Sequence, residues 1–260
     1  MLTRLRHSRP VGIVRYHAYR DVLLAWPRRH RCNICNWRGR RFLTYAHRYV
    51  LCPQCGSSVR HRLIAAALRH GEVAGSSGAS HPQLAGRVLH VSPEYCLGLV
   101  LRPPARRYVR ADYIAADCDV RQDVRRMPFG NATFDALACC DTLEHIDDDR
   151  AALGECRRIL TRGGLAILTV PQRDDPGPTV EDPSVTTDAE RRARFGQEDH
   201  VRLYGSDFAD RIAAAGFRVT CIDAGAFDAD YVAEHVLRPP TALDLPWGGN
   251  LRRIYLAEAA

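Results

Sequence analysis

The sequence predicts an α/β fold, a mostly parallel sheet of seven strands, preceded by a small cysteine-rich module. Three observations carry this expectation. From Arg87 onward, short apolar runs alternate with helical patterns, as in chains built from β-α-β units. Nearer the N-terminus, Cys32-Asn-Ile-Cys35 and Cys52-Pro-Gln-Cys55 form two closely spaced pairs. Between these regions, the small polar run 75–80 has the composition of a flexible linker. At 260 residues the chain is long enough for one sizeable core and a small appendage.

Composition narrows the function classes. No apolar run approaches the roughly 18–20 residues that a membrane-spanning helix needs. The basic N-terminus lacks an apolar region followed by a small-residue cleavage site, so a cytoplasmic location is expected. The net charge of +7 invites a nucleic-acid reading. The sequence has no lysine, however, so all 37 basic residues of that sum are arginine. This looks like a GC-rich coding bias rather than selection for phosphate contacts. Much of the excess sits early, at Arg28, Arg29, Arg31, Arg38, Arg40, Arg41, Arg60 and Arg62.

Taken in order, residues 1–29 form an N-terminal extension. Within it, 16–26 suggests an amphipathic helix presenting Val22, Leu23, Leu24 and Trp26, by preference to the catalytic domain, with a partner or an anionic membrane surface as the alternatives. Residues 30–60 form the four-cysteine module. Each two-residue gap lets a turn aim two thiolates at one tetrahedral ion, and the intervening segment forms a hairpin that sets the pairs face to face. A structural Zn2+ on Cys32, Cys35, Cys52 and Cys55 is expected, with Trp37, Phe42, Tyr45 and Tyr49 covering a module too small to bury its own core. The other six cysteines, Cys96, Cys118, Cys139, Cys140, Cys156 and Cys221, are scattered through apolar segments and read as small hydrophobes. Residues 61–84 hold a short helix, read from Arg60 to Leu68 with Gly71 as its stop, and the linker.

The domain 85–260 places strands at Val88–Val91, Tyr108–Ala111, Val120–Gln122, Ala136–Cys140, Leu165–Val170, Arg218–Ile222 and Arg253–Leu256. One helix is capped by Asp147 or Asp148, repeats apolar residues at Ala152, Leu153, Cys156, Ile159 and Leu160, and ends at Gly163-Gly164. Another runs from Ser206 to a stop at Gly216. In such a sheet, ligands bind beyond the carboxyl ends of the strands. There the sequence puts Asp112 after the second strand, where a carboxylate can take both hydroxyls of a ribose. It also puts Asp123 in the following loop and Asp141 after the fourth strand.

The ordered run Asp123…Met127-Pro128-Phe129, Thr133-Phe134-Asp135, Leu143-Glu144-His145-Ile146, Glu155…Arg158-Ile159-Leu160-Thr161-Arg162-Gly163-Gly164 and Val170-Pro171 resembles the class I S-adenosylmethionine-dependent methyltransferases of the type 11 branch. The resemblance implies a Rossmann-like fold and S-adenosylmethionine as cofactor. It also implies that Asp123 and Val124 meet the adenine, that Met127 flanks the ring, and that Asp112 holds the ribose. The family's glycine-rich first loop is replaced here by His90-Val91-Ser92-Pro93-Glu94, with only Gly98 remaining. Glu94 would then take the cofactor's amino group, with His90, Ser92 and Asp141 beside it. The chain also resembles a bacterial subfamily joining a zinc ribbon, here followed by Arg60-His61-Arg62, a His-x-x-Pro-Glu loop and an Asp-His-Val-Arg motif, here Asp199-His200-Val201-Arg202.

The segment between the fifth strand and the Ser206 helix is long and polar, suited to cover the cofactor. Methyl transfer needs a positioned nucleophile and, where required, a base. His200 is the first candidate base and His145 the second; the alternatives are a lid tie for His200 and packing for His145. Asp199, Arg202 and Tyr204 are candidates for substrate binding or for bracing the lid. The leading expectation is a methyltransferase acting on oxygen or nitrogen of a small molecule or glycan. A ribosomal RNA methyltransferase and a non-catalytic scaffold are the alternatives.

Overall fold

A computed structural model describes residues 29–45, 49–69, 81–239 and 253–260. The expected helix at 16–26, the Gly71 stop and the linker 75–80 lie outside the described residues. All seven expected strands form, in the expected order: β5 (Arg87–Val91), β6 (Arg107–Asp112), β7 (Val120–Arg121), β8 (Phe134–Cys140), β9 (Leu160–Thr169), β12 (Phe217–Ile222) and β13 (Ile254–Ala259). They build one sheet of order β12-β13-β9-β8-β5-β6-β7, in which β13 alone runs antiparallel to its neighbours. The strand order reverses between β5 and β8. In an open α/β sheet, that is where a crevice opens for ligand.

Helices α2 (Tyr95–Leu101), α3 (Asp149–Ile159) and α5 (Phe208–Ala214) pack against the sheet. Asp148 caps α3 by accepting from the Ala151 amide. The glycine pair does not end α3, as expected from sequence. The helix stops at Ile159, and Leu160 already pairs with Phe134, with a register irregularity before Ala136. Gly163 supplies φ of +74°, and a Cβ on Gly164 would meet the Thr161 carbonyl at 2.8 Å. The glycines therefore shape an irregular strand start. The second expected helix begins at Phe208 rather than Ser206 and stops before Gly216 (φ +91°).

The cysteine module is two short hairpins, β1 (His30–Arg31) with β2 (Arg38–Gly39) and β3 (Leu43–Tyr45) with β4 (Tyr49–Leu51). It is followed by α1 (Val59–Arg69). The helix expected as a connector is instead a layer of the fold. It is buried from His61 to Leu68, and its alanines 65–67 let it lie close against the sheet. One continuous core runs from Cys32, Trp37 and Phe42 through Leu63 and Ile64 to Val88, Ala138, Ile167 and Leu256. The opposite face of the sheet is filled by Leu153, Cys156, Ile159, Tyr204 and Phe208.

Candidate active site

The four cysteines converge. Each knuckle closes with the same pair of hydrogen bonds: Asn36 N–H to Cys32 O and Cys32 N–H to Trp37 O, then Gly56 N–H to Cys52 O and Cys52 N–H to Ser57 O. Asn36 (φ +60°) and Gly56 (φ +74°) take the left-handed backbone at matching positions, as such tight turns require. The four sulfurs lie within 4.8 Å of one another, with Cys32–Cys55 at 3.7 Å and Cys35–Cys52 at 3.6 Å.

Helix α1 carries this module to the crevice between β5 and β8. Arg62 is fully buried, lies over the Phe42 ring at 4.1 Å, and donates to the carbonyls of Val50, Ser57, His235 and Val236. It thus ties the module to α6 (Ala229–His235). Burial draws its guanidinium down to about 10, which leaves it charged at neutral pH. Two residues earlier, Arg60 reaches the end of the sheet. It donates to Glu94 through both terminal nitrogens at 2.9 and 2.8 Å, and its Nε lies 3.0 Å from Asp141 Oδ2. His61 accepts from the Ser58 amide on Nδ1, so its Nε2–H donates to Glu94 at 2.8 Å. Burial pushes the Glu94 carboxyl up, but Arg60 and His61 outweigh it and hold Glu94 well below the usual carboxylate range. Arg60 and its two carboxylates therefore span the reversal point of the sheet.

The backbone is strained at the same place. Ser92, directly after β5, has φ of +46°, and Asp141, directly after β8, has φ of +45°. Neither is glycine, and such positions persist where surrounding bonds over-determine them, often at ligand sites. Ser92 donates its amide to Ala111, and Asp141 accepts from Thr169 Oγ1 at 2.9 Å.

Along the neighbouring strand, Asp112 is buried and its Oδ1 accepts from the amides of Ile114 and Ala115. Tyr95, Tyr113 and Ile114 are the exposed large hydrophobics among the described residues; Tyr95 opens α2 after β5, and Tyr113 and Ile114 lie on the loop after β6. Apolar rings left open around a polar crevice are what a flat, partly apolar ligand would cover. Asp123 is held by Arg125. Met127 and Val124 are buried; Glu155 and Arg158 clamp the Met127 backbone from α3, accepting its amide at 2.7 Å and donating to its carbonyl at 3.1 Å.

Several expected contacts are reassigned. His90 does not face the crevice. It is fully buried, accepts from the Glu94 amide on Nε2 and donates from Nδ1 to the Tyr108 hydroxyl at 2.6 Å, so it holds the loop from behind. Gly98 is not in a loop but inside α2, where a Cβ would come within 3.3 Å of the Tyr108 hydroxyl. Arg202 and Tyr204 brace the lid. Arg202 donates to the carbonyls of Leu143, Ile146 and Asp147 and to Glu181, while buried Tyr204 donates to Asp149 at 2.9 Å. Sequence reasoning gave Arg60 and His61 no role in the site: it counted Arg60 in the early arginine excess and placed both in the short helix after the cysteine module. Their signal was their place, a few residues after the second knuckle on the helix that leads from the module to the sheet.

Burial brings the His90 ring from 6.5 down to about 4. Between those values the unfolded chain binds a proton that the folded one refuses, so stability falls as pH drops from about 6.5 towards 4, by about 3 kcal/mol at most. Thermal unfolding across this range is expected to show a flatter acid limb in His90→Gln; coincident pH profiles would contradict the assignment.

On the lid side, the turn Leu143–His145 follows β8, and β11 (Arg202–Leu203) pairs with β10 (Val180–Glu181) above it. Val201 N–H donates to Glu144 O at 2.9 Å, which sets His200 opposite the turn. The His145 and His200 rings meet edge to face, 4.8 Å between centroids. Asp199 lies 3.2 Å from His145 Nδ1, and His200 Nδ1 donates to Phe195 O at 3.0 Å. A neighbouring cavity of about 470 Å³ is lined by charged residues, among them Asp147, Arg150, Glu181 and Arg191.

Residues 72–168 match a family described as a methyltransferase domain, Methyltransf_11. Among solved structures, the chain is similar to the [4+2]-cyclase SpnF, at 16% identity and TM-score 0.49 over 95% of this chain and 92% of that one. It is also similar to YcgJ from Bacillus subtilis, at 18% identity and TM-score 0.44 over 66% and 91%. A third is the 1,6-didemethyltoxoflavin-N1-methyltransferase of Burkholderia thailandensis, at 16% and 0.42 over 78% and 88%. No curated protein matches the chain. The motif-bearing half of the sheet lies inside the matched region, and this match to a methyltransferase domain supports an enzyme of the methyltransferase class.

Proposed function

We propose that this protein transfers a methyl group from S-adenosylmethionine to an oxygen or nitrogen of a small-molecule or glycan acceptor. The observation that carries the reading is the crevice at the β5/β8 reversal, charged at one end and apolar at the other. Asp112 would accept from the ribose hydroxyls, and Ile114 and Tyr113 would cover the adenine. Glu94 has three of its roughly four acceptor positions filled by Arg60 and His61, leaving one for an ammonium group. Arg60, between two carboxylates, is placed to meet the cofactor's own carboxylate. This chain would thus use a side-chain ion cluster where relatives use a glycine-rich backbone. When bound, the cofactor supplies an electrophilic methyl on a sulfonium, and the protein's task is to orient the nucleophile and exclude water.

The cysteine cluster fits a structural zinc ion. Four Zn–S bonds of about 2.3 Å set sulfurs about 3.8 Å apart, close to the distances found. Four thiolates leave no open position for chemistry, so this ion would hold α1 in place. The charge argument for an RNA acceptor is weakened, since Arg60 and Arg62 are spent inside the molecule while Arg38, Arg40 and Arg41 remain exposed. The charged lining of the cavity beside the lid suits a polar acceptor.

Calorimetric titration with S-adenosylmethionine and S-adenosylhomocysteine tests the reading. Binding is expected to weaken at least tenfold in Asp112→Ala and in Arg60→Met. Folded wild-type protein that binds neither compound would refute the proposal and leave the scaffold alternative standing.

A further inference from the structure

We infer that the cysteine cluster and the cofactor crevice are one linked unit in which zinc and cofactor each tighten the binding of the other, with Ser57 and Ser58 as the positioning residues between them. The inference rests on the methyltransferase reading and extends it to the residues that assemble the crevice. The join is the short run 55–62, which starts at a cysteine of the second knuckle and ends in the first turn of α1. Ser57 faces the sulfurs. It is fully buried, and its hydroxyl lies 3.2 Å from Cys55 Sγ and 3.4 Å from Cys32 Sγ. On zinc those sulfurs are thiolates, so the hydroxyl is the group left to donate. The Ser57 carbonyl serves both sides: it accepts Cys52 N–H at 2.8 Å, which closes the knuckle, and it accepts from Arg62, which anchors α1.

Ser58 faces the crevice. Its amide donates to His61 Nδ1 at 3.0 Å, which leaves the Nε2–H of that ring for Glu94 at 2.8 Å. Between them in sequence, Arg60 donates to Glu94 through both terminal nitrogens and brings Nε to 3.0 Å from Asp141. The cations that shape the cofactor's amino-acid end therefore ride on one helical turn, and the residues just before that turn are bonded to the sulfurs and to the knuckle backbone.

Two sites are coupled when both ligands favour the same arrangement of an element they share. Here that element is the first turn of α1. An ion on the four sulfurs fixes the second knuckle, and through Ser57 and Ser58 it fixes the turn against Glu94 and Asp141. A cofactor bonded to Arg60 and Glu94 favours the same arrangement, and so the zinc-bound state. Because binding free energies are reciprocal, each ligand raises the affinity of the other by the same factor. The consequence is an enzyme whose cofactor site is assembled while zinc is in place and loosens when zinc is withdrawn.

The test measures zinc affinity of the full-length protein by equilibrium competition with a chromogenic chelator, with and without S-adenosylhomocysteine. The compound is supplied at the same multiple of each protein's own dissociation constant. A ligand that only stabilises the folded chain then protects zinc to the same degree in every variant. Coupling through α1 instead predicts unequal protection. Zinc affinity is expected to tighten by at least about fivefold in the wild type and in Asp112→Ala, whose weakened contact lies off α1. The gain is expected to fall below about twofold in Arg60→Met and in Ser57→Ala, which interrupt the path at either end. Equal protection in every variant, or no protection in a wild type that binds S-adenosylhomocysteine, overturns the linkage and leaves the methyltransferase reading standing. A folded, zinc-loaded wild type that binds no S-adenosylhomocysteine removes both proposals.

Discussion

Cys52→Ser is expected to lose the zinc of the cysteine cluster and to lower the unfolding midpoint of the whole protein by more than 10 °C. In small metal-bound modules the metal's binding energy is folding energy, on the order of 10 kcal/mol or more. Here the module is not a separate bead. Cys32, Ile34, Trp37 and Phe42 share a core with α1 and the sheet, so loosening the knuckles removes one wall of that core. It also frees the helix that carries Arg60 to Glu94 and Asp141. Elemental analysis and calorimetry check both effects together. A variant that keeps its zinc and its midpoint would show that the sulfurs do not form the metal site.

The second large effect is expected at Arg62. Arg62→Met keeps much of the side-chain volume but leaves the carbonyls of Val50, Ser57, His235 and Val236 without their donor. Each buried acceptor stranded in this way costs about 1–3 kcal/mol, and breaking a buried charged network costs about 3–5 kcal/mol in total. For a chain of this size, that corresponds to a fall in melting temperature of about 10 °C. Arg62→Lys is expected to recover little of it, because an ammonium cannot reproduce the planar fork that serves carbonyls from two separate elements. Differential scanning calorimetry decides, and a shift below 2 °C in the Met variant would contradict the bracing role.

The sheet was legible because its central strands are buried on both faces and read as short apolar runs between turn signals. The terminal strands were legible too, down to the antiparallel β13 as a late apolar run. What escaped was whatever depends on contacts between distant segments. A helix as alanine-rich as α1 is consistent with a linker or a buried layer, and only the sheet beneath it decides. His90 stands at the end of β5, where polar residues face ligands, yet Tyr108 on the adjacent strand turns it into a prop. Gly98 looked like the remnant of a loop because the helix begins sooner, at Tyr95.

The central claim is that an ion cluster borne by α1 replaces a glycine-rich loop at the cofactor's amino-acid end. The most direct measurement is a crystal structure of the zinc-loaded protein with S-adenosylhomocysteine. The account predicts the ribose on Asp112, the adenine against Ile114, and the amino-acid end against Arg60 and Glu94. A ligand bound elsewhere, or one whose carboxylate and amino groups ignore Arg60 and Glu94, would contradict it.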